Sequence, residues 1–320
     1  MALPYRPLRQ LTLAPGLHPR GLAFLSAASG LVRVGARLYV VADDELHLGV
    51  FPVDGDEPGH LVRLLEGTLP ASAKKRKAAK PDFESLLALP ASDASPGGSL
   101  LALGSGSRAN RFDAALLGLD AAGESQGNGR AISLAPLYAA LADRFDEINI
   151  EGAFVTGDAL LLLQRGVGIG ASAAIRYDLA DVMGWLDGGA ERPLRPRSVR
   201  AIDLGAVRGV ALGFTDGAAL DDGAWAFSAV AEDRDDSVAD GPCLAGAVGI
   251  CDGDDTLQCL ELIEPTRKIE GIAVAVSGAT AVFTLVTDAD DPDRPAELGT
   301  VRLALRAPAA RSARSAAAPP

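Results

Sequence analysis

One short pattern recurs about every sixty residues, and it constrains the fold more than any other feature of the chain. A polar residue, a small residue and then an apolar run occur in Ile150–Val155 and again in Lys268–Val274. Two looser copies lie upstream, and a further copy carries arginine where the others carry glutamate. The aligned positions are Ser29, Glu84, Glu151, Arg208 and Glu270. Such a period is typical of repeat architectures, in which each repeat forms one structural unit.

Short apolar runs bounded by Gly, Asp and Pro fill each repeat, which is typical of an all-β chain. Four repeats each contain four predicted strands, as in the blades of a β-propeller. The fifth supplies three, Glu270–Val276, Ala281–Thr287 and Gly299–Leu305, while an early strand, Leu8–Leu13, belongs to no repeat. We therefore predict a five-bladed propeller whose N-terminal strand closes the last blade and removes two exposed sheet edges. A six-bladed propeller is the alternative, although a sixth blade would need about sixty further residues.

The predicted propeller domain covers residues 1–305, and the Ala-, Pro- and Arg-rich residues 306–320 are expected to form a disordered tail. The net charge of −12 argues against nucleic-acid partners, because their phosphates require basic residues. No apolar run approaches the ~18 residues of a membrane span, and the first residues lack a secretory signal. The three cysteines lack C-x-x-C spacing and suit a reducing compartment. We therefore expect a soluble cytoplasmic protein without a membrane partner.

Polar residues from every blade are expected at one mouth of the central channel. The first strand of each blade lines the channel in a propeller, so the five aligned positions should form a ring there. Each second strand returns to the same mouth, and the loops that enter the first strands add two lysines. The residues so placed are Asp44, Arg108, Arg165, Glu232, Asp288, Lys80 and Lys268. Polar groups that converge in a concavity are the usual indication of a binding or catalytic site.

Three glutamates crowded into a channel would repel one another, so the predicted ring requires a positive charge. One solution is Ca²⁺, which binds carboxylate and hydroxyl oxygens. Its predicted ligands are Ser29, Glu84, Glu151 and Glu270. The other solution is Arg208, whose planar guanidinium could pair with two of the glutamates and hold the blades together. The sequence leaves both solutions open.

Lysine is rare in this chain, and its positions indicate an anion site. Four of the five lysines fall between residues 74 and 80, and the fifth is Lys268. The residues expected to bind a small anionic molecule are Lys80, Arg108, Lys268 and Asp288. A solvated charged loop is the plainer interpretation of the lysine run.

A hydrolase would need further groups at the same mouth, and the predicted catalytic residues are Asp44, Arg165, Arg208 and Glu232. Arg208 or a metal ion would polarise a phosphoryl group, and Arg165 would neutralise the charge that develops on it. Asp44 or Glu232 would orient the attacking water molecule.

Two resemblances to known families accompany these patterns. The ring of one serine and three glutamates resembles that of the apyrase-type calcium-activated nucleotidases, in which the corresponding positions hold Ca²⁺ in a five-bladed propeller; Arg208 departs from it. A larger set of motifs resembles an uncharacterised bacterial family related to the "esterase-like activity of phytase" propellers. The matching stretches are Ala28–Leu31, Lys80–Glu84, Gly104–Arg108, Gln164–Gly166 and Lys268–Gly271. These resemblances imply a phosphate-ester or related hydrolase.

We therefore expect a propeller that binds a small anionic ligand, such as a phosphate ester, together with calcium at one mouth of its channel. A calcium-dependent phosphate-ester hydrolase is the catalytic form of this hypothesis. The alternative is a noncatalytic binding module whose ring of ion pairs is structural, because propellers host both kinds of function.

Overall fold

A computed structural model of the chain describes residues 2–166, 168, 171–188, 193–233 and 241–305. Within these ranges the chain forms five mainly antiparallel β-sheets, and the helices are few and short. None of the described helices is long and apolar enough to cross a membrane. The predicted tail, residues 306–320, lies outside the described residues.

The elements of the first two blades follow the predicted order. The N-terminal segment forms β1 (Leu3–Pro4) and β2 (Arg6–Gln10). Blade 1 comprises β3 (Ala28–Val34), β4 (Arg37–Ala42), β5 (His47–Pro52) and β6 (His60–Arg63). After the helix α1 (Ala73–Ala79), blade 2 comprises β7 (Phe83–Leu89), β8 (Ser99–Gly104), β9 (Asp113–Gly118) and β10 (Arg130–Ser133).

The remaining blades repeat this arrangement. After the helix α2 (Ala135–Tyr138), blade 3 comprises β11 (Ile150–Thr156), β12 (Ala159–Gln164), β13 (Ala173–Asp178) and β14 (Ser198–Ala201), with α3 (Leu179–Leu186) before β14. Blade 4 comprises β15 (Ala206–Val207), β16 (Val210–Ala219), β17 (Trp225–Glu232), β18 (Cys243–Cys251) and β19 (Leu257–Glu264). Blade 5 comprises β20 (Ile269–Ser277), β21 (Thr280–Thr287) and β22 (Glu297–Ala304).

The N-terminal strand closes the propeller, as predicted. Strand β2 pairs antiparallel with β22 and forms the outer strand of blade 5. It spans Arg6–Gln10 rather than the predicted Leu8–Leu13, and β1 before it pairs in parallel with β19 of blade 4. The N-terminal segment therefore joins the last two blades. The five innermost strands contact one another in the order β3, β7, β11, β16 and β20, and β20 contacts β3. The prediction of a five-bladed β-propeller is thus confirmed.

The hydrophobic core lies between neighbouring blades. Leu101 of blade 2 and Leu162 of blade 3 belong to one buried cluster. Phe154 of blade 3 faces Trp225 of blade 4 in the next cluster, with ring centroids 5.7 Å apart. Burial of apolar surface stabilises such contacts by roughly 25 cal/mol per Å². The blades are therefore fixed relative to one another, and so are the side chains at the channel mouth.

A bulge marks the start of the innermost strand in four blades. The pairing with the second strand skips one residue, and this residue is Ser29 in blade 1, Glu84 in blade 2, Glu151 in blade 3 and Glu270 in blade 5. A bulge leaves its extra residue unpaired and redirects its side chain. The four residues line one cavity at the channel mouth. We call them, with the equivalent residue of blade 4, the ring.

The equivalent residue of blade 4 is Thr215, and the alignment of Arg208 with the ring was wrong. The bulge in β16 falls between Phe214 and Asp216, so that Thr215 is the skipped residue. Arg208 lies instead at the exposed tip of the β15–β16 hairpin, with a φ of 53° followed by 86° at Gly209. Positive φ at both central residues is typical of a two-residue hairpin turn. Local sequence alone does not separate such a turn from the polar–small–apolar pattern of the ring.

One residue further along, the buried Asp216 lies in the channel between a polar cavity and an apolar cavity. We call this position the waist. The Asp216 carboxylate accepts hydrogen bonds from the N–H groups of Gly217, at 2.7 Å, and of Ile272 in blade 5, at 2.8 Å. Glycine is required beside it, because a Cβ atom at Gly152 would lie 2.9 Å from the Asp216 Cα. The polar cavity above this waist and an apolar cavity below it share no lining residue.

Candidate functional site

The channel mouth above the waist holds a polar cavity of about 200 Å³. Ten of the twelve predicted site residues line it, and their chemical roles stay predictions. These residues are Ser29, Asp44, Lys80, Glu84, Glu151, Arg165, Glu232, Lys268, Glu270 and Asp288. The two exceptions are Arg208, at the tip of its hairpin, and Arg108. We call this cavity the mouth.

Arg108 is exposed, and Arg111 lies in the mouth in its place. A single 3-10 turn, Ala109–Arg111, follows Arg108 and carries the chain back towards the cavity. The buried Arg111 guanidinium contacts Asp82 at 2.8 Å and donates a hydrogen bond to the Ser107 hydroxyl at 2.7 Å. The placement of Arg108 was therefore wrong, because its strand end is followed by a turn that exposes the first arginine and buries the second.

Arg165 supplies the positive charge that was predicted for Arg208. Its guanidinium contacts Glu232 at 2.7 Å and Glu151 at 3.4 Å, and all three side chains are buried. Its stem packs over Gly213 of blade 4, where a Cβ atom would lie 2.7 Å from the Arg165 Cγ. Burial opposes the charge, but the carboxylates of Glu151, Glu270 and Glu232 raise the pKa of Arg165. Gly213, two residues before Thr215, was the sequence signal for this contact. The equivalent position of every other blade carries a side chain, so only blade 4 leaves room there for the arginine stem.

A second group of charges surrounds Lys80. Its ammonium contacts the carboxylates of Asp43 and, at 2.9 Å, Asp82. Oxygen atoms of Asp43, Asp82 and Glu84 all lie within 4.8 Å of one another. Burial raises the pKa of Glu84 well above its ordinary value, and the charges of Asp82, Glu151 and Asp43 raise it further. We call Asp43, Asp82 and Glu84 the acidic triad; only Glu84 was among the predicted metal ligands.

The ammonium of Lys268 lies among four carboxylates. Its Nζ is 2.5 Å from Asp290, 3.4 Å from Glu270, 3.6 Å from Glu232 and 3.8 Å from Asp288. Burial raises the pKa of Glu270 to about 8 and that of Asp288 to about 7, although Lys268 acts in the opposite direction. One ammonium group therefore does not compensate the carboxylates around it.

The lysine run forms a strap over the mouth. Its helix α1 is held there by Arg76, whose Nε contacts the Asp44 carboxylate at 3.1 Å. Asp44 also contacts Arg20 at 3.1 Å. Lys74 and Lys75 are exposed to solvent, whereas Lys80 is buried against carboxylates. The run is therefore partly a solvated face and partly an internal source of positive charge.

Carboxylates outnumber cations in the mouth. Among the described residues that line it, ten are aspartate or glutamate and six are lysine or arginine. Raised carboxyl pKa values are the physical consequence of this deficit, because protonation relieves part of the repulsion. The oxygen atoms of the acidic triad suit a hard divalent cation, which would have to displace the Lys80 ammonium. The predicted set of Ser29 and the ring glutamates is less suited, since Arg165 and Lys268 already contact two of its carboxylates.

Solved structures that resemble this chain include enzymes of different activities. A glutaminyl cyclase from Myxococcus xanthus is 10% identical, with a TM-score of 0.48 over 96% of this chain and 100% of that one. A GH43 endo-arabinanase from Bacillus licheniformis is 12% identical, with a TM-score of 0.39 over 91% of this chain and 96% of that one. Likenesses at this level carry no argument about activity.

No functionally curated protein matches the sequence. A family model matches residues 24–303, which cover nearly the whole propeller. The match says nothing about the esterase-like phytases or the apyrase-type nucleotidases, so that relationship stays a prediction. The chain belongs to the family of unknown function DUF6929.

Proposed function

We propose that the protein is a binding propeller whose mouth recognises a small ligand that carries positive charge. A divalent cation such as calcium is the simplest ligand of this kind. The observation that supports the proposal is the excess of ten aspartate and glutamate side chains over six lysine and arginine side chains in one cavity. An anionic ligand alone would be repelled by this excess, so the predicted phosphate ester would have to bind together with a cation.

The acidic triad is the set of residues that would hold the cation. Carboxylate oxygens are the preferred ligands of Ca²⁺, and the three carboxylates come from the end of β4 and the start of β7. Asp82 has a φ of 59°, and a left-handed non-glycine residue is a strained feature that occurs often at functional sites. Arg111 and Ser105 hold its carboxylate in place, with the Ser105 hydroxyl donating at 2.6 Å.

Phosphate-ester hydrolysis is the second candidate function. Asp44 and Glu232, the predicted bases, are each held by arginine, whereas Asp288 has a pKa of about 7 beside the same cavity. A carboxyl group with a pKa near the working pH is suited to exchange a proton with a substrate or water. Bound calcium would supply a Lewis acid and a site for a phosphate group.

Calcium titrated into chelator-treated protein is expected to bind at one site per chain. Glu84→Gln and Asp82→Asn should each weaken this binding at least about tenfold, because each removes one negative ligand. Asp93→Asn is the matched control, since Asp93 is exposed on the β7–β8 connection of the same blade. Isothermal titration measures the affinities, and a phosphate-monoester assay of the same samples tests hydrolysis.

Absence of binding at millimolar calcium would overturn the calcium form of the proposal and favour a structural ion-pair ring. An equal loss in Asp93→Asn would place the bound ion outside the mouth. Binding without phosphate release would retain the binding function and reject the hydrolase.

A further inference from the structure

A second cleft of about 390 Å³ adjoins the mouth at its blade 5 side. The two cavities share Lys268, Asp288 and Asp290, which form the boundary between them. The outer walls come from Gln10 on β2 and from Arg294 on the β21–β22 connection. We call this second cavity the outer cleft. Because the boundary residues line both cavities, one ligand could occupy both.

The volumes favour a ligand that extends beyond the mouth. The mouth alone, at about 200 Å³, is smaller than the ~300–1,000 Å³ typical of small-molecule sites. Mouth and outer cleft together fall within that range. The mouth thus suits a small charged group, and the outer cleft offers room for the remainder of the molecule.

The outer cleft lacks the acidic excess of the mouth, since its lining holds three cationic and three acidic side chains. Beyond the shared boundary, its charged residues are Arg267, Arg294 and Glu297. Arg267 is held 5.2 Å above the Tyr5 ring and 3.4 Å from Glu297. Arg294 is exposed, and its guanidinium has no ion-pair partner among the residues that the structure describes. The planar guanidinium group of an arginine without an ion-pair partner can bind two oxygen atoms of a carboxylate or phosphate group.

We infer that the outer cleft binds the anionic group of a dipolar ligand whose positive end lies in the mouth. This inference rests on the proposed function, because the mouth must accept the positive end. The ligand class is a small molecule with an ammonium group and a phosphate or carboxylate group separated by a few bonds. Arg294 is the residue that distinguishes it from a simple cation.

Ethanolamine and phosphoethanolamine are a matched pair of probes, since only the second carries an anionic group. Isothermal titration at pH 7 into the full chain, in the presence of chelator, is expected to show at least about tenfold tighter binding of phosphoethanolamine. Arg294→Gln should abolish this difference and leave ethanolamine binding unchanged. Arg302→Gln is the matched control, because Arg302 is an exposed arginine of blade 5 on β22 and does not line either cavity.

Equal affinities for the two probes in the wild-type protein, or an undiminished difference in Arg294→Gln, would overturn the inference. Retained ethanolamine or calcium binding in that case would still support the proposed function. Failure of both calcium and ethanolamine to bind would overturn the proposed function and, with it, the dipolar ligand. Phosphoethanolamine binding without any cation binding would also overturn the dipolar ligand, since the phosphate group would then act alone.

Discussion

Replacing Arg165 with methionine should lower the free energy of unfolding by about 3–5 kcal/mol, because it removes the guanidinium that contacts two buried carboxylates. Those carboxylates belong to Glu151 and Glu232, whose side chains are 7% and 3% exposed, compared with 5% for Arg165. Methionine keeps the unbranched stem that covers Gly213, so packing there should change little. Urea unfolding followed by tryptophan fluorescence measures the loss.

The same substitution should also strengthen calcium binding several-fold, because the mouth loses one positive charge while the acidic triad stays intact.

Arg197→Met is the control for the stability prediction. Arg197 pairs with Asp158 and Asp178 at the surface, where solvent screens the charges, so the free energy of unfolding should hardly change. If the Arg165→Met variant had the same free energy of unfolding as the wild type, the ring would not depend on this arginine. Combining it with Glu151→Gln and Glu232→Gln should restore part of the stability.

Asp216→Ala should cost about 3–5 kcal/mol of unfolding free energy, because buried backbone N–H groups lose their acceptor. The carboxylate of Asp216 joins Gly217 of its own strand to Ile272 of blade 5. Truncation would therefore loosen the contact between blades 4 and 5 at the waist. The measurement is again urea unfolding, compared with Asp216→Asn, which keeps one acceptor oxygen and should lose less.

Asp203→Ala provides a control in the connection that leads into the same blade. The Asp203 carboxylate accepts one hydrogen bond, from the Gly205 N–H at 2.8 Å, and Asp203 is exposed. Water can replace that acceptor, so the loss should be much smaller. Similar losses for Asp203→Ala and Asp216→Ala would contradict a special role of the channel waist.

The architecture could be predicted because it depends on a repeated pattern rather than on any single contact. Glu84, Glu151 and Glu270 start innermost strands, and their bulges place all three at the same mouth. Strand counting also placed the N-terminal strand in the last blade, although its bounds shifted. Strand existence follows from alternating apolar runs, whereas exact bounds depend on tertiary pairing.

The fourth blade could not be predicted from the same pattern. Its ring residue is a threonine, Thr215, which is buried and bonded to the Ser228 hydroxyl at 2.8 Å. No charged residue therefore marked the position, and the nearby Arg208–Gly209 turn imitated the pattern more closely. Only the register of β16 against β17 shows which residue is bulged.

The sign of the net charge in the mouth could not be predicted from the sequence either. The residues that supply its charges were largely identified, but the prediction of an anionic ligand weighed the lysines without their partners. Lys80 and Lys268 lie within contact distance of aspartates and glutamates. Their positive charges are therefore paired with carboxylates of the protein itself rather than available to an anionic ligand. Asp43 and Asp82 complete the acidic triad with Glu84 only when the end of β4 lies beside the start of β7, which the local sequence does not show.

Anomalous X-ray diffraction from crystals grown with Mn²⁺ tests the proposed cation site most directly, because Mn²⁺ accepts the same oxygen ligands as Ca²⁺ and scatters anomalously. The expected result is one strong peak between the carboxylates of Asp43, Asp82 and Glu84, with the Lys80 ammonium moved away from them. A mouth without a peak, and with Lys80 still between Asp43 and Asp82, would contradict the cation site and leave the mouth as a closed network of ion pairs.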